Sequence, residues 1–102
     1  MRVAGICAAL LLLASSAANA ELGKQSGKAS YYRGIGKGGE MTCAHRSRPF
    51  GSSLRVSHGS RTIVCRVNDR GPFIRGRIVD VSISAARALG MMGAGVVKVV
   101  VE

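Results

Sequence analysis

The run Thr62-Ile63-Val64-Cys65-Arg66-Val67 passes directly into Asn68-Asp69-Arg70-Gly71-Pro72-Phe73, and that junction constrains the fold more than any other part of the chain. A β-branched run argues for a strand, and the Gly-Pro pair that follows cannot continue one, so the segment reads as a strand ending in a sharp turn. An acid and a base stand side by side at that end. Turns carried by a rigid scaffold are where binding and catalytic groups concentrate. The competing reading is local: Asn68 and Asp69 bond nearby backbone and shape the turn.

The same strand grammar recurs. Ala29-Ser30-Tyr31-Tyr32, Leu54-Arg55-Val56-Ser57, Ile78-Val79-Asp80-Val81 and Val96-Val97-Lys98-Val99-Val100-Val101 all read as strands. His58-Gly59-Ser60 reads as a hairpin turn, with His58 a turn residue. The last strand is so apolar that burial on both faces is expected. Ala85-Ala86-Arg87-Ala88-Leu89 reads as a short helix, capped by Ser82 or Ser84, ended by Gly90 and packed over Met91 and Met92. Gly34 to Gly39 matches G-x-G-x-x-G, yet no helix or acidic partner follows, so a dinucleotide site is excluded. With no repeat and no internal linker, many short strands and one helix predict a single compact β-barrel.

The N-terminus predicts export. Met1-Arg2 precedes an apolar run to Ala14, and Ala18-Asn19-Ala20 has the small-residue pattern of a cleavage site, so residues 1–20 read as a signal peptide. The run is too short for a stable membrane anchor. The expected product starts near Glu21, with residues 21–28 a polar lead and 29–102 the barrel, and is periplasmic or secreted. Without Arg2 the chain holds 14 of its 15 Lys and Arg against 5 acids, a net charge of +9. Such a charge suits nucleic acid in the cytosol, but no nucleic-acid motif is present, and outside the cell an anionic envelope polymer or membrane surface is the better partner. A merely solubilising basic surface is the plain alternative. No cofactor and no metal is expected, and the chain is read as a monomer.

Cys43 and Cys65 are the two cysteines beyond the leader. In an oxidising compartment an even pair points to one disulfide, worth ~3 kcal/mol by the chain-entropy account. A reactive Cys43 beside His45 is a weaker alternative, because the segment does not read as a helix N-terminus. A zinc site from Cys43, His45, His58 and Cys65 lacks structural zinc spacing.

Taken in order, Thr42-Cys43-Ala44-His45, Arg48-Pro49-Phe50-Gly51, Leu54-Arg55-Val56, Val67 through Phe73, Arg77-Ile78-Val79-Asp80-Val81-Ser82 and Ala85-Ala86 resemble the rare lipoprotein A family of septal-ring lytic transglycosylases. The resemblance runs from about Gly27 to Glu102. It implies a mainly β fold, a small six-stranded double-psi β-barrel with one or two short helices, similar to that of expansins. It also implies a substrate, the glycan strands of peptidoglycan with few stem peptides, cut between N-acetylmuramic acid and N-acetylglucosamine. The muramyl 6-hydroxyl displaces the leaving sugar, giving a 1,6-anhydro end, so one carboxyl group serves where hydrolysis generally needs two.

By the same resemblance Asp69 matches the family's catalytic acid, with His45 and Glu40 as further catalytic candidates. As a plain Asp, Asp69 would need burial to hold a proton near neutral pH, and Arg70 alongside would oppose that. His45 is expected to bond the sugar or the acid, or else to be satisfied structurally under the barrel. Asn68 and Asp80 are expected to support the site, and Tyr31, Tyr32, Arg70 and Arg75 to bind sugar. The family usually carries a longer stretch before its T-A-A-H segment, with a Gly-Glu in it. Here that stretch is short, and Glu40 stands either for that glutamate or for an unrelated acid. The family's Ala at position 43 and aliphatic residue at 65 are both Cys, in keeping with a cross-strand bond. The usual C-terminal wall-binding repeat is not seen, so binding is expected from the barrel groove. A non-catalytic wall-binding or wall-loosening barrel is the second reading, and a small domain with no wall partner the third.

Overall fold

The computed structural model describes residues 23–33 and 39–102; the expected leader, and most of the Gly34–Gly39 loop, lie outside these. Six strands close into a barrel: β1 (Gln25–Tyr31), β2 (Thr42–Ala44), β3 (Ser53–His58), β4 (Arg61–Asp69), β5 (Arg77–Val81) and β6 (Val97–Val101), with one helix, α1 (Ile83–Leu89), between the last two. The order around the barrel is β1-β5-β2-β4-β3-β6. Parallel pairs β1/β5 and β2/β4 flank the antiparallel contact of β2 with β5.

Alternation sets which side chains turn inward, because successive strand residues point to opposite faces. Leu54 and Val56, Ile63, Cys65 and Val67, Val79 and Val81, and Val99 and Val101 fill the barrel, joined by Ala29, Cys43, Met91 and the Ala85, Ala86 and Leu89 face of α1. Fully burying each Val or Leu is worth about 1.5–3 kcal/mol, so the interior is the main source of stability. Cys43 and Cys65 are bonded across β2 and β4, with their Cα atoms 5.8 Å apart. Gly90 ends α1 in the left-handed region at φ 71°, its N–H bonded to the Arg87 carbonyl.

Four features depart from the sequence reading. The first strand begins at Gln25, inside the expected polar lead, since Gln25 to Ala29 pair with Val101 to Val97 and need no apolar side chains of their own for the ladder. Strand β2 is three residues long, too short to show any period. Strand β6 is buried on one face only: Val99 and Val101 point in while Lys98 and Val100 face outward, because the barrel wall has no layer covering it there. Ser82 occupies the N-cap of α1 but its side chain makes no capping bond. Its hydroxyl accepts the Thr42 N–H at 3.1 Å and contacts the Glu40 carbonyl at 3.3 Å, so it ties the helix start to the β2 segment.

Candidate active site

The site begins with two irregularities in the parallel pairs. Cys43 is opposite Val67 but Ala44 is opposite Asp69, so Asn68 is an extra residue in β4. In strict alternation after Ile63, Cys65 and Val67, Asp69 would point into the barrel. The bulge at Asn68 turns it outward, which is the common use of a bulge beside a functional site. Strand β5 repeats the device: Lys28 is opposite Arg77 and Ala29 opposite Val79, leaving Ile78 as the extra residue and Asp80 facing out.

The consequence is a row across four adjacent strands, Ser30, Asp80, Ala44 and Asp69, each opposite the next. Two strand spacings, about 10 Å, separate the backbones of the two acids. Ala44 stands between them in register and is itself buried. Asp80 is half-buried and accepts the Ser30 hydroxyl on Oδ1 at 3.0 Å. Burial is the largest influence on its carboxyl and pushes its pKa up. The Ser30 bond and Arg77 pull the other way, and the charge of Asp69 adds to the rise. Asp69 is exposed at the strand end, with Oδ1 accepting the Arg70 N–H at 2.8 Å.

A second row lies alongside. Tyr32 follows β1 and its hydroxyl meets Thr42 Oγ1 at 2.6 Å. Thr42 is opposite Arg66 on β4, and Arg66 holds the Glu40 carboxylate in an ion pair. Tyr32, Glu40, Ser82 and Ser84 line a cleft of about 250 Å³ here. Glu40 therefore borders the outer face that carries the two aspartates, with its charge directed to Arg66.

Other residues marked out in the sequence are brought elsewhere. His45 is buried. Its Nδ1 accepts the N–H groups of Ser47 and Arg48, both at 3.1 Å, and its Nε2 lies 2.7 Å from Gln25 Oε1. The proton therefore sits on Nε2, and the ring is filled by structural partners rather than by sugar or acid. Burial, then Arg48, Arg70 and Arg46, lower its pKa. Arg70 turns away from the acids: Nη1 donates to the carbonyls of His45 (3.2 Å) and Arg48 (2.7 Å), and the guanidinium lies 3.9 Å from the Phe50 ring centre. Tyr31 lies apart from Tyr32. Being adjacent on an extended chain, Tyr31 and Tyr32 face opposite ways; the Tyr31 ring packs on the core and its hydroxyl donates to the Met92 carbonyl at 3.2 Å. Arg75 is exposed in the turn before β5.

Ser30 and Thr42 were given no site role in the sequence, and Ser82 was read there as a helix cap. Each acquires its role from strand register, and a lone hydroxyl residue carries no sign of what it will stand opposite. Arg46 was missed too: its guanidinium donates to the carbonyls of Pro72 (2.7 Å), Ile74 (3.2 Å) and Arg77 (3.1 Å), pinning the loop that follows Asp69.

Comparison with known proteins agrees with this architecture. Residues 24–101 match the profile of a family described as lytic transglycolase. The chain is 56% identical over 64 residues to a probable endolytic peptidoglycan transglycosylase RlpA of Nostoc sp., covering 61% of this chain and 17% of that protein. It is 40% identical over 91 residues to the endolytic peptidoglycan transglycosylase RlpA of Neisseria meningitidis, covering 76% of this chain and 38% of that protein. The chain thus spans well under half the length of these relatives. Among solved structures, a Clavibacter michiganensis expansin in complex with cellohexaose superposes with a TM-score of 0.66 at 23% identity, over 78% of this chain and 49% of that one. A Streptomyces papain inhibitor superposes with a TM-score of 0.63 at 26% identity, over 78% of this chain and 92% of that one.

Proposed function

Because this chain belongs to the lytic transglycolase family, we propose that it is an exported enzyme that cuts peptidoglycan glycan strands between N-acetylmuramic acid and N-acetylglucosamine, leaving 1,6-anhydromuramyl ends. The observation that carries the proposal is the pair of outward carboxylates, Asp80 and Asp69, separated by one alanine on a continuous barrel face. The reaction needs a proton for the departing O4 of glucosamine and a place for the proton of the attacking muramyl 6-hydroxyl. One carboxyl group can do both in turn, because no water is activated.

Of the two acids, Asp80 is better suited to hold that proton. Burial above all, with the charge of Asp69 adding to it, favours its neutral form, and a buried acid is the better proton carrier. Asp69, exposed and anchored by the Arg70 N–H, then faces the positive charge that grows at the muramyl anomeric carbon. This exchanges the roles expected from the family resemblance, in which Asp69 is the acid and Asp80 the support. Tyr32 and Glu40 extend the same face as sugar-binding groups.

The test uses the oxidised chain and glycan strands freed of stem peptides, with mass spectrometry for anhydro ends. Ends from the wild type, lost in Asp80→Asn and in Asp69→Asn, support the proposal. Their absence from the wild type, with sedimentation on peptidoglycan retained, identifies instead a wall-binding barrel without chemistry. The engagement of Glu40 by Arg66 favours that second reading, since it occupies the remaining acid near the groove.

A further inference from the structure

Strand β1 carries an outward lysine, Lys28, that stands opposite Lys98 on β6 and opposite Arg77 on β5. Three cations in register across adjacent strands repel one another, and like charges directly opposite destabilise a sheet. Asp80 lies within coulombic reach of Arg77, but among the described residues no acid pairs with Lys28 or Lys98. Of the acids described, Glu40 pairs with Arg66, Asp69 and Asp80 lie in the row already described, and Glu102 follows the end of β6. Lys28 and Lys98 also border a cleft of about 550 Å³ whose other lining includes the small or apolar residues Ser26, Gly27, Gly76 and Val100. The cleft lies next to the acid row along β1, because Lys28 and Ser30 are two apart on the same strand and share its outer face.

We propose that Lys28, Lys98 and Arg77 form a track that binds the carboxylates of a glycan strand whose cut bond lies at Asp80. The inference rests on the reading of the chain as a wall-glycan enzyme and adds to it the feature of the strand that is recognised. A muramyl residue stripped of its peptide carries a free lactyl carboxylate. A peptide-bearing one holds the same carbonyl as an uncharged amide. The cations on β5, β1 and β6 therefore meet an anion on a stripped strand where they meet a bulky neutral group on a substituted one. The repulsion stored in the free protein is relieved when that anion binds.

The experiment measures binding of the oxidised chain to stripped strands, and to the same strands after their carboxylates are converted to methylamides. Wild type is compared with Lys28→Ala/Lys98→Ala and with Lys28→Arg/Lys98→Arg. On stripped strands the alanine pair is expected to bind about tenfold more weakly, in line with two exposed charge contacts, and the arginine pair to bind as wild type. On methylamide strands wild type and the alanine pair should bind equally. Both lysines are exposed, so the alanine pair folds, and thermal melting should show it no less stable than wild type. Equal binding of all variants to stripped strands overturns the track while leaving the enzyme reading intact. So does a tenfold loss that persists on methylamide strands, or a lysine dependence found only with a phosphate polymer such as polyphosphate. Failure of the wild type to bind any strand overturns the enzyme reading and the track together.

Discussion

Ser30 donates its hydroxyl to the Asp80 carboxylate from the neighbouring strand, at 3.0 Å, and so holds that side chain on the outer face of the barrel. The bond favours the charged form of Asp80, but burial outweighs it and the carboxyl rises. The site thus keeps an acid in surroundings that resist its ionisation.

That conflict predicts a trade between stability and activity. A carboxyl raised on folding contributes stability that is fully present below its unfolded pKa, near 3.8, and is lost as pH rises through the folded value. Asp80→Asn cannot ionise and keeps an oxygen to accept the Ser30 hydroxyl. It should therefore melt higher than wild type at neutral pH, with the difference shrinking as the pH falls into the carboxylate range. The same variant should lose at least ~100-fold in anhydro-product formation, the usual contribution of a general acid. Melting curves at several pH values beside the product assay check both; a variant less stable than wild type at pH 7 would contradict the burial argument.

His45 predicts an acid-sensitive loop. Its pKa is lowered on folding, so the unfolded chain takes up a proton first as pH drops below 6.5, and native stability declines over that window. Protonation also turns Nδ1 from an acceptor into a donor facing the Ser47 and Arg48 N–H groups. His45→Gln should be less stable than wild type at pH 8 and show a flatter decline between pH 7 and 5. Amide exchange at Ser47 and Arg48 would report the local opening. A ring that served only the substrate would leave this pH dependence unchanged.

Glu40 tests how much the short loop matters. Its carboxylate is committed to exposed Arg66, an ion pair of the kind worth ~0.2–1 kcal/mol. Glu40→Gln should then lower product formation by about fivefold or less, with the change in KM rather than kcat. A loss as large as that of Asp80→Asn would instead place Glu40 among the reacting groups.

Most of the barrel was legible because it depends on local signals. The β-branched runs of β3 to β6, the Gly59-Ser60 turn and the αL glycine at position 90 each announce themselves within a few residues. The Cys43–Cys65 bond followed from counting cysteines in an exported chain. What stayed hidden depends on register. The bulges at Asn68 and Ile78 decide which face Asp69 and Asp80 occupy, and nothing in Val67-Asn68-Asp69 distinguishes a bulged strand from a regular one. Ser30 reads as an ordinary strand serine until Asp80 is placed opposite it. The partners of His45, backbone N–H groups two and three residues on, depend on a turn that has no Gly or Pro between 45 and 48 to mark it.

The disulfide supports the last prediction, because of where it lies. Cys43 immediately precedes Ala44, the residue between the two acids, and Cys65 lies on β4 four residues before Asp69. Strand β2 has only three residues and is held by one parallel and one antiparallel neighbour. With a separation of 22 residues, the bond restricts the unfolded chain by ~3 kcal/mol in the entropy model. Replacing Cys43 with Ala and Cys65 with Val should lower Tm by roughly 12–24 °C, the span expected for that loss in a domain of this size. Below the new melting point the core still packs, since both sulfurs lie in an apolar interior that Ala and Val can fill. Product formation at low temperature should therefore stay within about threefold of wild type while the temperature of inactivation falls with Tm. Loss of activity at low temperature with the fold intact would show instead that the bond positions Ala44 and Asp69 for the reaction.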